Sequence, residues 1–378
     1  MANRRWPRRL ARLGLAAAVM AGCAGFGYWV GKPGGLDFFP GAKPAPAAPA
    51  PAGGQTASGG AASAPLPDPD LGEAPPIDPA LGYRVSGYRP QAIEPPFITR
   101  NEATDRTLEL DRDGGLVYRL AETNQAVYQP VTTLQWAMGA RTQYWVTGQQ
   151  LWLDLARASA LKVLAGRVES GGAYFFPYNY EWSSQEFGYD FQPPWYSGMA
   201  QGEALSVFTQ MAQIFPDEPL WDEAARATFA SLLQPPSADQ PWVTDVVDGY
   251  LWFEEYAAAD SFEVFNGHVF ALFGVYEYAL HSGDQRAFDL FDAGATTALH
   301  AMATARRPGQ TSLYCVEPER CVDAGWQNGS YQKIHIAQLE MLQALTGDDR
   351  FADWAAALAS DTPGQGPWRV AAYWPKPG

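Results

Sequence analysis

A pattern recurs four times after residue 128. A helix-forming stretch ends in a short polar break, and an aromatic residue then opens a second such stretch. The breaks are Thr147-Gly148, Pro216-Asp217, Ser282-Gly283 and Thr346-Gly347, followed by Trp152, Trp221, Phe288 and Phe351. Successive aromatics stand 69, 67 and 63 residues apart. A near-constant period of this kind marks repeated supersecondary units, and each break suits a tight turn between antiparallel helices. In the second unit Ala200, Ala204, Val207, Phe208 and Met211 recur at helical spacing, and Met199, Leu205 and Ala212 beside them are apolar too. A helix that is apolar all round is buried on all sides. Its partner, from about Leu220 to Leu233, is mixed with Asp222, Glu223 and Arg226. Buried first helices paired with more polar second helices predict an all-α fold over 128–378. The expected architecture is an α/α toroid, an incomplete barrel of about four helical hairpins. An open helical solenoid is the alternative.

Three segments precede it. Residues 81–127 read as β-like: Arg106–Leu110 and Leu116–Leu120 flank Asp111-Arg112-Asp113-Gly114-Gly115, a hairpin signal. So few strands form no independent domain, so the segment is expected to pack on the toroid. Residues 32–80 are rich in Pro, Ala and Gly and read as a disordered tether. In residues 1–31, Arg4, Arg5, Arg8, Arg9 and Arg12 precede an apolar run from Leu13 to about Val30. This is either a signal peptide or a membrane anchor. Met20-Ala21-Gly22-Cys23 resembles a lipoprotein cleavage box, in which Cys23 would be lipidated. Both fates place the bulk of the chain in the periplasm or otherwise outside the cytoplasm.

The formal net charge of −15 includes five arginines and no acid in the first 23 residues, so the remainder is more acidic still. An acidic body argues against nucleic acid as partner, and against a broad cationic groove for heavily sulfated chains. A uronic-acid polymer needs local positive charge in the site. In an oxidising compartment Cys315 and Cys321, six residues apart, either pair as a small-loop disulfide or remain buried thiols.

The links between hairpins carry the chemistry. The first, about Ser170 to Pro194, holds Tyr174, Phe175, Phe176, Tyr178, Tyr180, Trp182, Phe187, Tyr189 and Asp190. The second, about Gln234 to Ser261, holds Trp242, Asp245, Asp248, Tyr250, Trp252, Glu254, Glu255 and Tyr256. The third, about Arg306 to Asn328, holds Tyr314, Glu317, Arg320, Asp323 and Trp326. Each joins an outer helix to the next inner one, so all three emerge at one end of the toroid. Aromatic faces stack on sugars, and carboxylates, phenols and arginine bond hydroxyls and carboxylates, so a saccharide cleft is expected at that mouth.

At these residues the sequence resembles a known family. Trp195-Tyr196-Ser197-Gly198-Met199-Ala200-Gln201-Gly202-Glu203-Ala204-Leu205-Ser206 is similar to a helix of the glucuronyl C5-epimerase C-terminal domain. Trp252-Phe253-Glu254-Glu255-Tyr256, followed by Phe265-Asn266-Gly267, resembles its next signature. Tyr331, His335-Ile336 and Gln338-Leu339 resemble a third. The resemblance implies inversion of C5 in glucuronate within heparan-type chains. It implies Glu255 as the catalytic glutamate, Tyr256 beside it, Tyr331 acting opposite, and Tyr314 as a further site tyrosine. Tyr178, Trp195, Gln201, Glu254 and Asn266 are expected to line the substrate, with the Gln201 amide aimed into the cleft. The family has an arginine where Glu317 stands, so Arg320, or else Lys333, is expected on the uronate carboxylate. The β-rich domain that precedes the family's helices is reduced here to a short segment.

The residue types suit the chemistry. Removing the C5 hydrogen puts charge onto a group already negative, so the site must neutralise that carboxylate and place a base on one face. Inversion needs a proton donor on the other face. Glu255 and Tyr331 are expected as the pair, with no metal or nicotinamide required; the four histidines show no metal-ligand spacing. His335 reads as a hydrogen-bonded helix residue. The expected partners are a uronic-acid polysaccharide, the membrane through the N-terminal anchor or lipid, and a second copy of the chain as a homodimer. The alternatives to an isomerase are a polysaccharide lyase, which shares the C5 carbanion but expels the C4 substituent, and a non-catalytic glycan-binding or exopolysaccharide assembly protein.

Overall fold

The structure, a computed structural model, describes residues 64–93, 98, 109–112, 115–120, 124–184, 188–327 and 329–362. Among these, eight α-helices form four antiparallel hairpins. They are α1 (Pro130–Thr147) with α2 (Gln150–Ala165), α3 (Gly198–Ile214) with α4 (Pro219–Ser231), α5 (Phe265–Ser282) with α6 (Gln285–Ala305), and α7 (Gly329–Thr346) with α8 (Asp349–Asp361). The first, third and fourth hairpins turn on Gly148, Gly283 and Gly347, at φ of 65°, 67° and 73°. That left-handed conformation ends a helix at little cost only where no Cβ is present. The second hairpin breaks at Pro216-Asp217 and restarts with Pro219 in the first turn of α4, where its missing N–H costs nothing.

Helices α1, α3, α5 and α7 pack successively against one another, and α2, α4, α6 and α8 lie outside, each on its own partner. This is the incomplete α/α toroid. Helices α3 and α5 are buried along most of their length. They cross so closely that a Cβ on Gly274 would lie 1.9 Å from the Gly202 carbonyl oxygen. At the same crossing Glu277 accepts hydrogen bonds from Ser206 and Gln210, and from the Ile98 N–H upstream of the helices.

Residues 64–80, expected within the tether, are tied to the helices at Leu66, Asp68 and Leu71. The buried Arg306 guanidinium pairs with Asp361 of α8 and reaches Asp68 and the Leu66 carbonyl. Farther along, the Ser86 and Gly87 N–H groups donate to Asp292, and Gln91 donates to the Leu345 carbonyl. A Pro- and Ala-rich segment makes no core of its own, yet it needs none when helix side chains satisfy its backbone. Of the 81–127 segment, Leu110 bridges Leu116, and β1 (Tyr118–Arg119) pairs with β2 (Ala126–Val127). Leu116 is buried in the core and Lys162 of α2 pairs with Asp111. Residues 1–63, with Cys23, lie outside the described residues. Among the described residues no helix is long and apolar enough to cross a membrane.

The links are more ordered than loops. The first holds two antiparallel pairs, β3 (Val168–Ser170) with β4 (Ala173–Phe175) and β5 (Trp182–Ser184) with β6 (Tyr189–Phe191). The second holds β7 (Thr244–Val247) paired with β8 (Tyr250–Phe253). Asp248-Gly249 turns the latter pair with φ of 51° and 82°. Both residues at positive φ make the two-residue turn whose twist suits a hairpin. The third link contains a short π-helical turn, Pro318–Asp323, closed by the Cys315–Cys321 disulfide with Cα atoms 5.4 Å apart.

Candidate active site

Strand β8 delivers Glu254-Glu255-Tyr256 to the first turns of α3 and α5. Two backbone bonds hold this tripeptide against the entry to α3: Gly198 N–H to the Glu254 carbonyl at 2.6 Å, and Ala257 N–H to the Tyr196 carbonyl at 3.2 Å. A histidine that the sequence did not single out fixes the strand itself. His268 Nδ1 accepts from the Phe253 N–H at 3.1 Å, and Nε2 lies 2.9 Å from the Gly294 carbonyl of α6. The first bond requires a bare Nδ1, so Nε2 carries the proton. Burial lowers its pKa to about 4, which keeps the ring neutral.

Glu255 is 6% exposed. Its carboxylate rests on the first turn of α5, where a Cβ on Gly267 would lie 2.2 Å from Oε2. Asn266 Nδ2 donates to Oε2 at 3.3 Å, and the Tyr314 hydroxyl donates to Oε1 at 3.0 Å. The Tyr256 and Tyr314 hydroxyls are 3.3 Å apart, and the Tyr314 and Tyr331 rings meet edge-on with centroids 4.4 Å apart. All four side chains are buried, three of them within one aromatic cluster that also contains Tyr178, Phe191 and Trp195. Glu255 and Tyr331 thus belong to one site, with Tyr314 in contact with each. Trp182 stacks on Tyr256 at 5.1 Å, and Phe191 meets the same ring at 5.7 Å, so the β5–β6 pair covers the cluster.

Burial raises the Glu255 pKa to about 7, against the hydrogen bonds from Tyr256, Tyr314 and Asn266 that favour the anion. Tyr256 and Tyr314 are pushed well above the usual phenol value, first by burial and then by the charge of Glu255. The arrangement is a carboxyl group able to exist in either protonation state near neutrality, beside phenols that remain neutral donors.

Other expected residues face elsewhere. Glu254 is fully buried, yet its carboxylate accepts from Ser261 and from the Phe262 and Glu263 N–H groups, so it organises its own loop. The Gln201 amide turns away from the cluster: it bonds the Phe176 N–H, the Tyr174 carbonyl and the Ser231 hydroxyl. An amide buried among apolar side chains takes the backbone partners within reach. Arg320 pairs with Asp260 at 2.7 Å and lies over the Phe262 ring, 5.1 Å from its centroid, because a nearer carboxylate holds it. Lys333 follows Tyr331 by two positions on α7 and is half-buried; helix geometry sends residues at that spacing to different faces. Tyr178 and Trp195 stack on each other at 3.9 Å in the cluster wall. His335 binds Ser312 through Nδ1 at 2.9 Å and is held neutral by burial, its pKa lowered to about 3.

Residues 169–360 match the sequence profile of a family described as the D-glucuronyl C5-epimerase C-terminus. A D-glucuronyl C5-epimerase of Caenorhabditis elegans is 26% identical over 170 residues, which are 42% of this chain and 27% of that protein. The chain therefore spans well under half the length of that relative. Among solved structures, the cellobiose 2-epimerase from Spirochaeta thermophila superposes with a TM-score of 0.47 at 14% identity, over 66% of this chain and 63% of that one. An α-1,6-mannanase of Salegentibacter, in complex with α-1,6-mannotriose, gives 0.47 at 12% identity over 68% of each chain.

Proposed function

The chain belongs to the D-glucuronyl C5-epimerase family, through its C-terminal domain, and we propose that it is an isomerase that inverts C5 of glucuronate residues in a cell-envelope polysaccharide. One observation carries this reading: the Glu255 carboxylate, with its pKa raised to about 7, is buried in hydrogen-bond contact with the Tyr314 phenol, which itself packs on Tyr331. A base whose pKa lies near the working pH is ionised often enough to act and basic enough to take a proton.

In this reading Glu255 takes the C5 proton, and as its charge is lost the phenols of Tyr256 and Tyr314 turn their protons from Glu255 to the uronate carboxylate. Tyr331 returns a proton from the other face. A uronate beside Glu255 raises both carboxyl pKa values, which favours a single proton shared between them. With that proton on the uronate, its C5 hydrogen is more acidic and Glu255 is free as the base. Substrate enters by displacing the cover formed by Trp182 and Phe191. The Cys315–Cys321 disulfide supports a location outside the cytoplasm.

The test is incubation with unsulfated glucuronate polymers in deuterated water, followed by NMR. The expected result is deuterium at C5 and a new iduronate signal, both lost in Glu255→Gln and in Tyr331→Phe. Full exchange in both variants sinks the assignment, and an ultraviolet-absorbing unsaturated product means a lyase instead.

A further inference from the structure

On helix α7 the phenol that returns the proton shares a face with a buried amide that the proposed chemistry leaves unused. Tyr331, His335 and Gln338 stand at i, i+4 and i+7, the spacing of one helix face, and all three are buried. Gln338 Nε2 donates to the Asn266 carbonyl at 2.8 Å. Asn266 is the second residue of α5, and its own side chain donates to Glu255 Oε2 at 3.3 Å. The next residue, Gly267, is the seat of that carboxylate. One bond therefore joins the helix of Tyr331 to the turn that holds Glu255.

The two helices are fixed by different means. Helix α5 is locked to α3 where a Cβ on Gly274 would meet the Gly202 carbonyl, and again where Glu277 accepts from Ser206 and Gln210. Helix α7 packs much less extensively on α5 than α3 does. Its Tyr331 face is held by a few specific contacts instead. His335 bonds Ser312, in the link before Tyr314, at 2.9 Å and meets the Phe265 ring edge-on with centroids 4.8 Å apart. Gln338 bonds α5 itself. A ring edge slides over a ring at little cost, whereas a hydrogen bond weakens steeply away from its geometry. Stability alone gives little reason for an amide here. Gln338 is 2% exposed, and its Oε1 has no hydrogen-bond partner among the described residues. A buried acceptor left unpaired offsets what one bond from the same side chain contributes.

We infer that Gln338 is a positioning residue: its bond to Asn266 sets the separation between the Glu255 carboxylate and the Tyr331 phenol, and so the return of a proton from the far face of the sugar. The inference rests on the epimerase reading and adds the element that registers its two faces. Without the bond α7 shifts while α5 stays. Glu255 keeps its seat and its partners, so proton removal is little changed and delivery from Tyr331 slows.

The test compares the full chain with Gln338→Met, similar in length and volume but without the donor, on an unsulfated glucuronate polymer. The expected kcat is about tenfold lower with KM unchanged, because substrate still binds and one proton transfer is misaligned. Two isotope effects locate the slow step: deuterium at C5 of the substrate reports removal, and deuterated solvent reports return. In Gln338→Met the substrate effect is expected to shrink and the solvent effect to grow, while the pH at which kcat/KM falls stays that of the wild type. Both effects are ratios, so they do not depend on how much of a preparation is folded. Gln338→His, which keeps an N–H at similar reach, is expected to return kcat and both effects toward wild type. Wild-type isotope effects in Gln338→Met make the residue structural and overturn the inference. A displaced pH profile does so too, since Glu255 itself has then moved. Met and His variants that behave alike also overturn it, because the N–H then makes no difference. A wild type without C5 exchange sinks the epimerase reading and this role together; an active wild type with any of the three preceding results sinks the role alone.

Discussion

Gly267→Ala isolates the position of the Glu255 carboxylate from the stability of the fold. The added Cβ would lie 2.2, 2.6 and 2.8 Å from Oε2, Cβ and Cδ of Glu255. Comfortable contact between non-bonded carbons is about 3.5–4.0 Å, so the side chain must retreat by roughly 1 Å. It cannot do so and keep both the Tyr314 bond at 3.0 Å and the Asn266 bond at 3.3 Å. A displacement of about 1 Å in a catalytic group costs on the order of 10²-fold in rate. The cost to folding is smaller. Overpacking of this kind destabilises by about 1–3 kcal/mol, and alanine in a helix returns up to about 1 kcal/mol relative to glycine. For a domain of this size the melting temperature then falls by a few degrees, at roughly 2–4 °C per kcal/mol. Gly274→Ala is the contrast: its Cβ meets the Gly202 carbonyl oxygen at 1.9 Å, and backbone cannot swing aside as a side chain can. Its melting temperature is expected to fall further than that of Gly267→Ala. C5 deuterium exchange and thermal melting of both variants decide the matter. Wild-type exchange in Gly267→Ala refutes the claim that the seat of this carboxylate carries the chemistry.

Three further outcomes are expected. The productive complex carries one proton between Glu255 and the uronate, so kcat/KM is expected to hold level below about 7 and to fall as pH rises through it; a profile that climbs through that pH to a plateau removes the shared proton. The same raised value, shared by Glu254 and Glu263, makes the native state hold protons that the unfolded chain releases near pH 4. The stability they contribute is fully present below that pH and is lost as pH rises through about 7, which denaturant midpoints across the window will record. Cys315→Ser opens a short loop beside Tyr314, with an expected loss of roughly 2 kcal/mol and slower turnover; a lower melting point with unchanged turnover shows the link to be structural only. Arg306→Ala leaves the Asp361 carboxylate buried and unpaired, since the side chains of the pair are 1% and 0% exposed. It should cost about 3–5 kcal/mol and release the segment at 64–68 to proteolysis.

Period and polarity in the sequence determined the architecture. Four breaks, each followed by an aromatic, correspond to the turns of four hairpins, and the stretch at 199–212, with apolar residues on every face, lies in the buried α3. The chemistry-bearing segments were legible as well, because they interrupt that period with aromatic and acidic residues. Asp248-Gly249 and Gly171-Gly172 each turn a β-hairpin, and the short strands within the links follow from these dipeptides.

Tertiary structure decided which of those side chains meet. Glu254 and Glu255 are neighbours of the same type, and no sequence argument ranks them physically. One turns to the N–H groups of its own loop, and the other to Tyr314 and Asn266. Gln201 and Arg320 were drawn to partners that lie close only once the chain is folded. Helix period is a local property, fixed by side-chain spacing along one segment. Convergence of Glu255, Asn266, Tyr314 and Tyr331 is a matter of how separate helices cross, and close approaches such as Gly202 against Gly274 set that crossing.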